Sequence, residues 1–474
     1  MANNRVSRRN LFEKGFGMAG AAGLLSLASA PAARASQYSY TPELNGIFGA
    51  NTASITAALD AAYTFLDTMM DAYAQGSTLR LVQSYSDQQG LESTAFTYDN
   101  AVVIDAYLVR GESGDVTRAE VLGNSLLYAQ QTNSYNDGRL FQAYFVNAPD
   151  AHGAYIQPAG APFYFYGSSV GDMAWAGMAL CQLYNKTKNS NYLAGATKLG
   201  NWIYTNAYST VGAGGYTGGV DASNNKLTYK STEHNIDTYA FFTMLARETG
   251  NSVWTTRAQW AATFVASMWN STGGFFWTGT NNDGVTTNTS NIPEDVQTWS
   301  YLAFLNKAYA ASLQWVTTNL ITIDTPQTIN SKLTGNTSIL GETYASLSLR
   351  ALTPSESYDQ PPDPNAVWLE GTGHTVSALL VHSLSGETPG AAATDIATAA
   401  LLLDNIRKAQ QQLGAGQTVG GMALPPGEGI VASSSVLNGG FGSSYYPNLH
   451  IGATGWCAMA AQLGNPFQLG YRSI

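Results

Sequence analysis

The chain contains 474 residues, more than most single domains, and it carries a formal net charge of −10. Charged residues make up only 11% of it, against about 25% in average proteins. An acidic chain with so few lysines and arginines is poorly suited to nucleic acid or to an anionic membrane surface, so we expect neither as a partner.

The first 35 residues have the features of an export signal. Residues 7–12 (SRRNLF) are similar to the twin-arginine motif, with the last two residues in swapped order. An apolar stretch over 15–27 follows, and Ala33-Arg34-Ala35 fits a small-residue cleavage site. The stretch is shorter than the ~20 apolar residues that span a bilayer, although an uncleaved anchor is the alternative. We predict a signal peptide over 1–35, a single domain over 36–474, and a periplasmic or secreted protein with no membrane association after cleavage.

Two kinds of helix alternate along the rest of the chain. The first kind is amphipathic, with apolar residues every three or four positions. The second kind is apolar on almost every side and must therefore be buried on every side. Amphipathic helices are predicted at 54–73, 116–131, 191–206, 253–269, 313–320 and 393–411, with irregular structure over 321–367.

Each apolar helix follows an acidic residue or a histidine, and these starts are 61 to 80 residues apart. Such a regular alternation predicts six helical hairpins arranged as an all-α (α/α)6 barrel. The loops that precede the apolar helices are long and rich in Gly, Asn and aromatic residues, so we expect short strands and functional groups on that face. The six starts are Asp99, Asp172, Glu233, Glu294, Glu370 and His450.

The two cysteines, Cys181 and Cys457, fall within apolar helices and are predicted to be buried thiols, with a disulfide between them in an oxidising compartment as the alternative. No Cys/His cluster in the sequence has the spacing of a zinc or haem site. We therefore predict no metal and no other cofactor.

Local motifs accompany the repeat: TYDN, EHNID, PEDVQTW, EGT and YYPNLHIGATGW. Together with the helical pattern, they resemble the six-hairpin glycosidase superfamily, the (α/α)6 toroids that include many inverting glycoside hydrolases. The resemblance implies an active cleft at the N-terminal ends of the inner helices, where this chain places its acids. It also implies a carbohydrate substrate that is cleaved with inversion. A cleft ringed by acids suits neutral or amino sugars, and we expect a monomer.

Glycoside hydrolysis needs one carboxyl group that protonates the leaving oxygen and a second that activates water or attacks the sugar. Glu233 is the predicted general acid. Asp237 lies one helical turn later and is placed to perturb the protonation of Glu233. The candidates for the second carboxyl group are Asp99, Glu294, Asp295 and Glu370.

Each acid also has a simpler explanation, because the helix dipole favours an acidic residue in the first turn and a cap stabilises by ~0.5–2 kcal/mol. Asp172 fits this explanation best, since Gly171-Asp172 is typical of a plain helix start. Acids at five helix starts, beside aromatic residues, nevertheless favour a shared site. The predicted substrate-binding residues are Tyr98, Asn100, His234, Trp277, Trp299, Trp368, Tyr445 and His450.

Two other functions stay open from the sequence. The first is a polysaccharide lyase or a sugar epimerase, and a lyase acting on uronates would need Arg, Lys or a metal to neutralise the substrate carboxylate. A non-catalytic glycan-binding protein would need aromatic side chains but no proton donor, so Glu233→Gln would leave its behaviour intact. The agents of a lyase or epimerase would be His234, Tyr239, His374 or His450.

Overall fold

The computed structural model describes residues 52–88, 90–350, 360–386, 391–440 and 444–471. The predicted signal peptide lies outside these ranges. Within them the chain forms twelve α-helices, alternately in an outer and an inner layer. The outer helices are α1 (Thr52–Met70), α3 (Ser113–Thr132), α5 (Ser190–Ala207), α7 (Ser252–Ser267), α9 (Ala310–Asn319) and α11 (Ala391–Gln412). The inner helices are α2 (Thr97–Arg110), α4 (Val170–Thr187), α6 (Thr232–Thr249), α8 (Glu294–Phe304), α10 (Leu369–Leu384) and α12 (Ile451–Ala460).

The six inner helices form a closed ring. Each packs against the next along the chain, and α12 packs against α2 to complete the circle. Five outer helices each cover the inner helix that precedes them, whereas α1 covers α12, so the two ends of the described chain build one hairpin together. The predicted (α/α)6 barrel is confirmed.

Close packing explains the composition of the inner helices. Every residue of α2 from Thr97 to Leu108 is buried, as expected for a helix that is apolar on all sides. Small residues allow the helices to approach: a β-carbon at Gly177 of α4 would lie 2.2 Å from the ring of Phe241 in α6. Among the described helices, none is both long and apolar enough to cross a bilayer.

The turns from an inner to an outer helix are short in the first three hairpins. Each of these inner helices is followed by one residue in the left-handed backbone conformation, which stops the helix. These residues are Gly111, Lys188 and Gly250, with φ of 70°, 58° and 65°. The next residue in each case is the N-cap of the outer helix. These tight turns leave the opposite end of the barrel to the long connections.

The long connections from outer to inner helices carry short antiparallel strands, as the sequence predicted. Pairing occurs in six small sheets within the described residues, and β9 and β10 form a hairpin in the segment predicted to be irregular. The strands are β1 (Thr94–Phe96), β2 (Ala143–Phe145), β3 (Gln157–Pro158), β4 (Ser168–Ser169), β5 (Gly219–Val220), β6 (Lys226–Leu227), β7 (Trp269–Asn270), β8 (Phe275–Phe276), β9 (Ile321–Asp324), β10 (Ile339–Glu342), β11 (Thr418–Val419), β12 (Met422–Ala423), β13 (Leu437–Asn438) and β14 (Ser444–Tyr445).

All six connections are fastened to their inner helices in the same way. The residue four positions after the helix N-cap accepts a hydrogen bond from a backbone N–H of the connection. In α2, Asn100 Oδ1 accepts from Val82 N at 2.7 Å, and the Asn100 amide group donates to Val82 O and Phe96 O. The other acceptors are Met173, Asn235, Gln297, Thr372 and Thr454, and their donors are the N–H groups of Leu140, Tyr216, Phe276, Glu342 and Ile430.

The connections also pair with one another. Three residues after each of these donors, the backbone pairs with the N-cap residue of the preceding inner helix, and Tyr85 pairs with His450 to join the first repeat to the last. The six N-cap residues and the six connection residues that pair with them therefore encircle one mouth of the barrel. We call these twelve residues the N-cap rim. Its other pairs are Ala143 with Phe96, Gly219 with Ser169, Gly279 with Ser231, Ala345 with Pro293 and Ser433 with Trp368.

The opposite mouth is closed by residues 463–471, the C-terminal plug. Asn465 Nδ2 donates to Leu302 O near the end of α8 at 2.9 Å, and Tyr471 OH donates to Asp105 Oδ1 of α2 at 2.8 Å. The Phe467 side chain, between these anchors, is 2% exposed. The plug thus ties several inner helices together at their C-terminal ends.

We expect Asn100→Leu to lower the free energy of unfolding by about 1–3 kcal/mol, because it leaves buried backbone groups of the first connection without their partner. Thermal or denaturant unfolding measures the loss. The matched control is Asn319→Leu, since Asn319 is exposed and its amide only donates to Trp315 O within α9. Equal stability of the two variants would contradict the structural role of Asn100.

Candidate active site

A cavity of about 400 Å³ lies at the N-terminal ends of the inner helices. All six repeats contribute to its lining, so the cavity is centred on the barrel axis and has walls on every side. Its size falls within the ~300–1,000 Å³ range of small-molecule sites. The acidic residues among the described lining are Asp99, Asp172, Glu233, Asp295 and Glu370.

The floor of the cavity is aromatic. Trp175 and Trp299 lie 5.2 Å apart between ring centres, and Tyr98 packs edge-on against Trp175 at 5.0 Å. Trp456 of α12 contacts both tryptophans, and Phe467 of the C-terminal plug packs against all three indole rings. The end of the chain therefore supports the bottom of the cavity.

Glu370 lines the cavity and is oriented by a directed chain of hydrogen bonds. Tyr98 OH donates to Glu370 Oε1 at 2.5 Å, and Trp456 Nε1 donates to Tyr98 OH at 2.8 Å. An indole N–H can only donate, so the phenol oxygen accepts from Trp456 and sends its own proton toward Glu370. The Glu370 oxygen is thus held as an acceptor, the arrangement that a catalytic base requires.

His450 lies between two carboxyl groups of the lining. As the N-cap of α12, its Nδ1 accepts from Ala453 N at 3.2 Å, which places the proton of the neutral ring on Nε2. Nε2 lies 3.3 Å from Asp99 Oδ2, and Nδ1 lies 3.5 Å from Glu370 Oε2. The Tyr85 ring stacks on the imidazole at 4.1 Å and fixes its plane.

His374 lies one helical turn deeper than Glu370 and is fully buried. Its Nδ1 is 3.0 Å from Glu294 Oε2, its Nε2 is 3.8 Å from Glu370 Oε1, and Thr375 Oγ1 donates to the other Glu294 oxygen at 3.0 Å. Burial alone would lower the pKa of His374, but the Glu294 carboxylate, with help from Glu370, raises it to about 9. At neutral pH, His374 is therefore an imidazolium between two acidic side chains.

The other acids of the lining belong to the neighbouring inner helices. Glu233 is half-buried at the start of α6, and His234 follows it in the lining. Asp172 is part of its own helix start, because Ser169 Oγ donates to Asp172 Oδ2 at 2.7 Å and accepts from the Asp172 backbone N–H. Asp295 is 3% exposed in the first turn of α8.

Two of the six predicted catalytic residues do not face the cavity. Asp237 is fully buried and lies against Gly171 of the adjacent inner helix. Glu294 is fully buried in its contacts with His374 and Thr375. In both cases the carboxyl group is enclosed between inner helices, where substrate has no access. The four that line the cavity are Asp99, Glu233, Asp295 and Glu370.

Two of the eight predicted substrate-binding residues also lie outside the lining. Asn100 is fully buried, and both ends of its amide bind the backbone of the first connection. Trp277 packs edge-on against Phe275 at 4.7 Å, and its carbonyl accepts from Thr232 Oγ1. The six that line the cavity are Tyr98, His234, Trp299, Trp368, Tyr445 and His450.

Sequence reasoning missed most of the cavity edge contributed by the connections. Tyr85 is a bridge position of the N-cap rim, and Gln142, Thr278, Thr280 and Tyr344 are neighbours of such positions. The sequence does not mark these positions, because their offset of three residues is counted from backbone donors that only the structure identifies. The fourth repeat also contributes a polar edge of Asn282, Asn288 and Ser290.

Among the described residues, no group of three His, Cys, Asp or Glu side chains is arranged to hold a metal ion. No protein-family model matches the sequence, and no curated protein matches it.

Solved structures match the fold over most of the chain. One is a D-mannose isomerase (TM-score 0.56, 11% identity, covering 86% of this chain and 97% of that one). Another is a cellobiose 2-epimerase from Bacillus thermoamylovorans (TM-score 0.54, 10% identity, covering 86% and 98%). A third is a glycoside hydrolase family 76 α-mannanase from Bacteroides thetaiotaomicron (TM-score 0.53, 13% identity, covering 88% and 98%). At these identities the similarity is one of fold, and it confirms the resemblance to the six-hairpin toroids.

Proposed function

We propose that the protein is a glycoside hydrolase that cleaves a poly- or oligosaccharide of neutral or amino sugars. The observation that carries this proposal is the convergence of acidic side chains from five inner helices on one aromatic-lined cavity. Hydrolysis of a glycosidic bond needs a proton donor and a second carboxyl group on the other side of the scissile bond. Aromatic rings suit the apolar faces of sugar rings, and the acids suit their hydroxyl groups.

Within this proposal, Glu370 is the base or nucleophile and Glu233 is the general acid. Glu370 accepts a hydrogen bond from Tyr98 OH and lies near the His374 imidazolium, and both contacts favour the carboxylate form that a base or nucleophile needs. Glu233 belongs to a different inner helix and has a half-buried side chain in the same lining. Asp99, coupled to Glu370 through His450, is the alternative to Glu370.

We propose that the reaction proceeds with inversion, as in many hydrolases built on this toroid. An inverting pair of carboxyl groups is separated by about 6.5–9.5 Å, which leaves room for the attacking water, whereas a retaining pair is separated by about 5–5.5 Å. Proton NMR of the first product formed would show the anomer that is released. Retention would reassign the second carboxyl group as a nucleophile without removing the hydrolase proposal.

The second candidate function is a sugar epimerase or isomerase. His234 and His450 both line the cavity and could exchange a proton at a sugar carbon, and two of the similar structures are an isomerase and an epimerase. A lyase acting on uronates is less well supported. Lys230 is the one lysine or arginine in the described lining, and its ammonium group donates to Val211 O.

Isotope labelling separates these reactions. We expect incubation of the purified protein with a glycan panel in ¹⁸O-water to give new reducing ends labelled at the anomeric carbon. An epimerase or isomerase would instead incorporate deuterium from D₂O into a free reducing sugar and create no new reducing end. A lyase would produce an unsaturated sugar that absorbs in the ultraviolet.

We expect Glu233→Gln to lower kcat by about 10²–10⁴-fold, the usual contribution of a positioned proton donor. Steady-state kinetics on the best glycan of the panel measures the loss. The matched control is Glu248→Gln, which makes the same change near the C-terminal end of the same helix, away from the cavity. Full activity of Glu233→Gln would contradict the assignment of Glu233 and leave the proton donor among the other acids of the lining. Glycan binding without turnover in the parent protein would instead support a binding protein.

We also propose that the protein is exported through the twin-arginine pathway and acts as a monomer in the periplasm or outside the cell. We expect the mature protein to begin near Ser36, which N-terminal sequencing of the exported form would test. The double substitution Arg8→Lys/Arg9→Lys should retain the precursor inside the cell. Unchanged export of that variant would contradict the proposed route.

A further inference from the structure

Four polar groups in the cavity lining are buried and have no hydrogen-bond partner among the described residues. They are the indole N–H groups of Trp175, Trp299 and Trp368 and the side-chain carbonyl of Gln142. The four side chains are only 1–3% exposed. Buried polar groups are nearly always paired, because an unpaired one forfeits its hydration, so each needs an explanation.

The neighbouring Trp456 shows that the fold can satisfy a tryptophan at this depth. Its indole N–H donates to Tyr98 OH at 2.8 Å, and that phenol belongs to the catalytic arrangement around Glu370. Trp175 and Trp299 contact Trp456 and share its surroundings, yet their N–H groups are left for another acceptor. The difference points to a ligand on the cavity side of these two rings.

The chemistry of the unpaired groups defines that ligand. Two floor tryptophans offer donors, and Gln142 offers an acceptor. The carboxyl groups of Asp172 and Asp295, in the first turns of the two helices that carry these tryptophans, line the same cavity. A hydroxyl group both donates and accepts, so a ring bearing several hydroxyls can satisfy all of them while its C–H face lies on an indole. A single pyranose ring has this combination.

The cavity shape fixes the direction from which such a ring enters. All six repeats wall the cavity, and its floor is sealed by Trp456 and by Phe467 of the C-terminal plug. A glycan chain therefore has no exit past the floor and enters along the barrel axis with one end first.

We propose that the floor around Trp175 and Trp299 is a subsite for the terminal sugar ring of the substrate, so that the enzyme acts from a chain end. This inference rests on the proposed hydrolase function and names its mode of action. The scissile bond lies above the floor, where Glu370 and Glu233 are positioned. Each turnover releases the ring held at the floor.

The subsite is tested by titrating D-glucose, D-mannose, D-galactose and D-glucosamine separately into the full-length mature protein by calorimetry. We expect at least one to bind and to raise the unfolding temperature. Trp299→Phe and Trp175→Phe keep an aromatic ring but remove the donor, and each should weaken binding about fivefold, the value of one hydrogen bond. The control is Trp254→Phe in α7, a buried tryptophan outside the cavity, which should bind as the parent does.

The direction of action is tested on an oligosaccharide labelled at its reducing end. Action from a chain end releases monosaccharide from the first time point, together with a labelled product that is either one unit shorter or the labelled monosaccharide itself. Internal cleavage instead gives labelled fragments several units shorter at once, without early monosaccharide. Early fragments without monosaccharide, or unchanged sugar affinity in both tryptophan variants, or no binding of any of the four sugars, would overturn the subsite. Sugar binding that depends on Trp299 without any glycan cleavage would instead overturn the hydrolase proposal and leave the subsite intact.

Discussion

Glu370→Gln is expected to lower kcat by about 10³-fold or more while leaving the fold intact, because the amide can neither accept a proton from water nor attack the sugar. The neutral amide still fits the space beside Tyr98 and His450, so KM for the same glycan should change little. Steady-state kinetics measures the loss, and circular dichroism verifies that the variant is folded.

Two further variants show whether the role of Glu370 is specific. Tyr98→Phe removes the hydrogen bond to Glu370 Oε1 along with the one that Tyr98 OH accepts from Trp456, and since a hydrogen bond to a charged group is worth about 1.5–3 kcal/mol, kcat should fall roughly tenfold or more. Asp172→Asn makes the same change of charge in the lining at a residue bound to its own helix cap, and should mainly affect stability or KM. An equal loss of kcat in Glu370→Gln and Asp172→Asn would refute the assignment of the base.

His374→Ala is expected to lower the free energy of unfolding by about 3–5 kcal/mol, since it leaves the Glu294 carboxylate buried without its partner. The double variant Glu294→Met/His374→Leu removes both charges and should recover much of the loss, because apolar side chains of similar size replace buried ion pairs well. Denaturant unfolding measures both. A double variant as unstable as the single one would show that packing, not the ion pair, explains the effect.

The same pair predicts a dependence of stability on pH. The pKa of His374 is about 9 in the folded protein, above its ordinary value of 6.5. Protonation therefore stabilises the fold fully below pH ~6.5, and this stabilisation, on the order of 3 kcal/mol, is lost as the pH rises through about 9. Unfolding measured from pH 6 to 9.5 should show a smaller decline in the double variant than in the parent.

Glu342 acts in the same direction and must be separated from His374. Its carboxyl group is fully buried; burial and the nearby Glu294 charge raise its pKa well above the ordinary value, so ionisation at higher pH also destabilises the fold. Glu342→Gln removes this contribution. The decline between pH 6.5 and 9 should persist in that variant if it belongs to His374.

The sequence predicted the architecture because burial on all sides and burial on one side leave different periodic patterns. The alternation of the two patterns placed all twelve helices, including the short α9, and the acids before the inner helices marked the end of the barrel where the cavity lies. Helix periodicity could not decide which acids reach the cavity. Glu294 and Asp295 are adjacent in the first turn of α8, so their side chains leave the helix in different directions. The Glu294 side chain lies between helices, and the Asp295 side chain lies in the cavity lining.

The remaining differences between the predicted site and the cavity lining arise where local chemistry has two equivalent uses. An asparagine near a helix start can bind a sugar or a backbone, and Asn100 binds the backbone because the first connection needs an acceptor at that point. An aromatic residue in a glycine-rich loop can pack against a ligand or against its neighbour, and Trp277 packs edge-on against Phe275. Only the partner in space, which the sequence does not contain, separates these outcomes.

The joining of the two chain ends in one hairpin has a consequence for how the protein matures. The ring cannot close, and His450 cannot join the cavity lining, until the residues of α12 have left the ribosome. Contacts between residues this far apart in sequence form slowly, because a long loop of chain must first be closed. During synthesis the nascent chain is therefore an open arc of hairpins, and the cavity lining is completed only when α12 docks on α2.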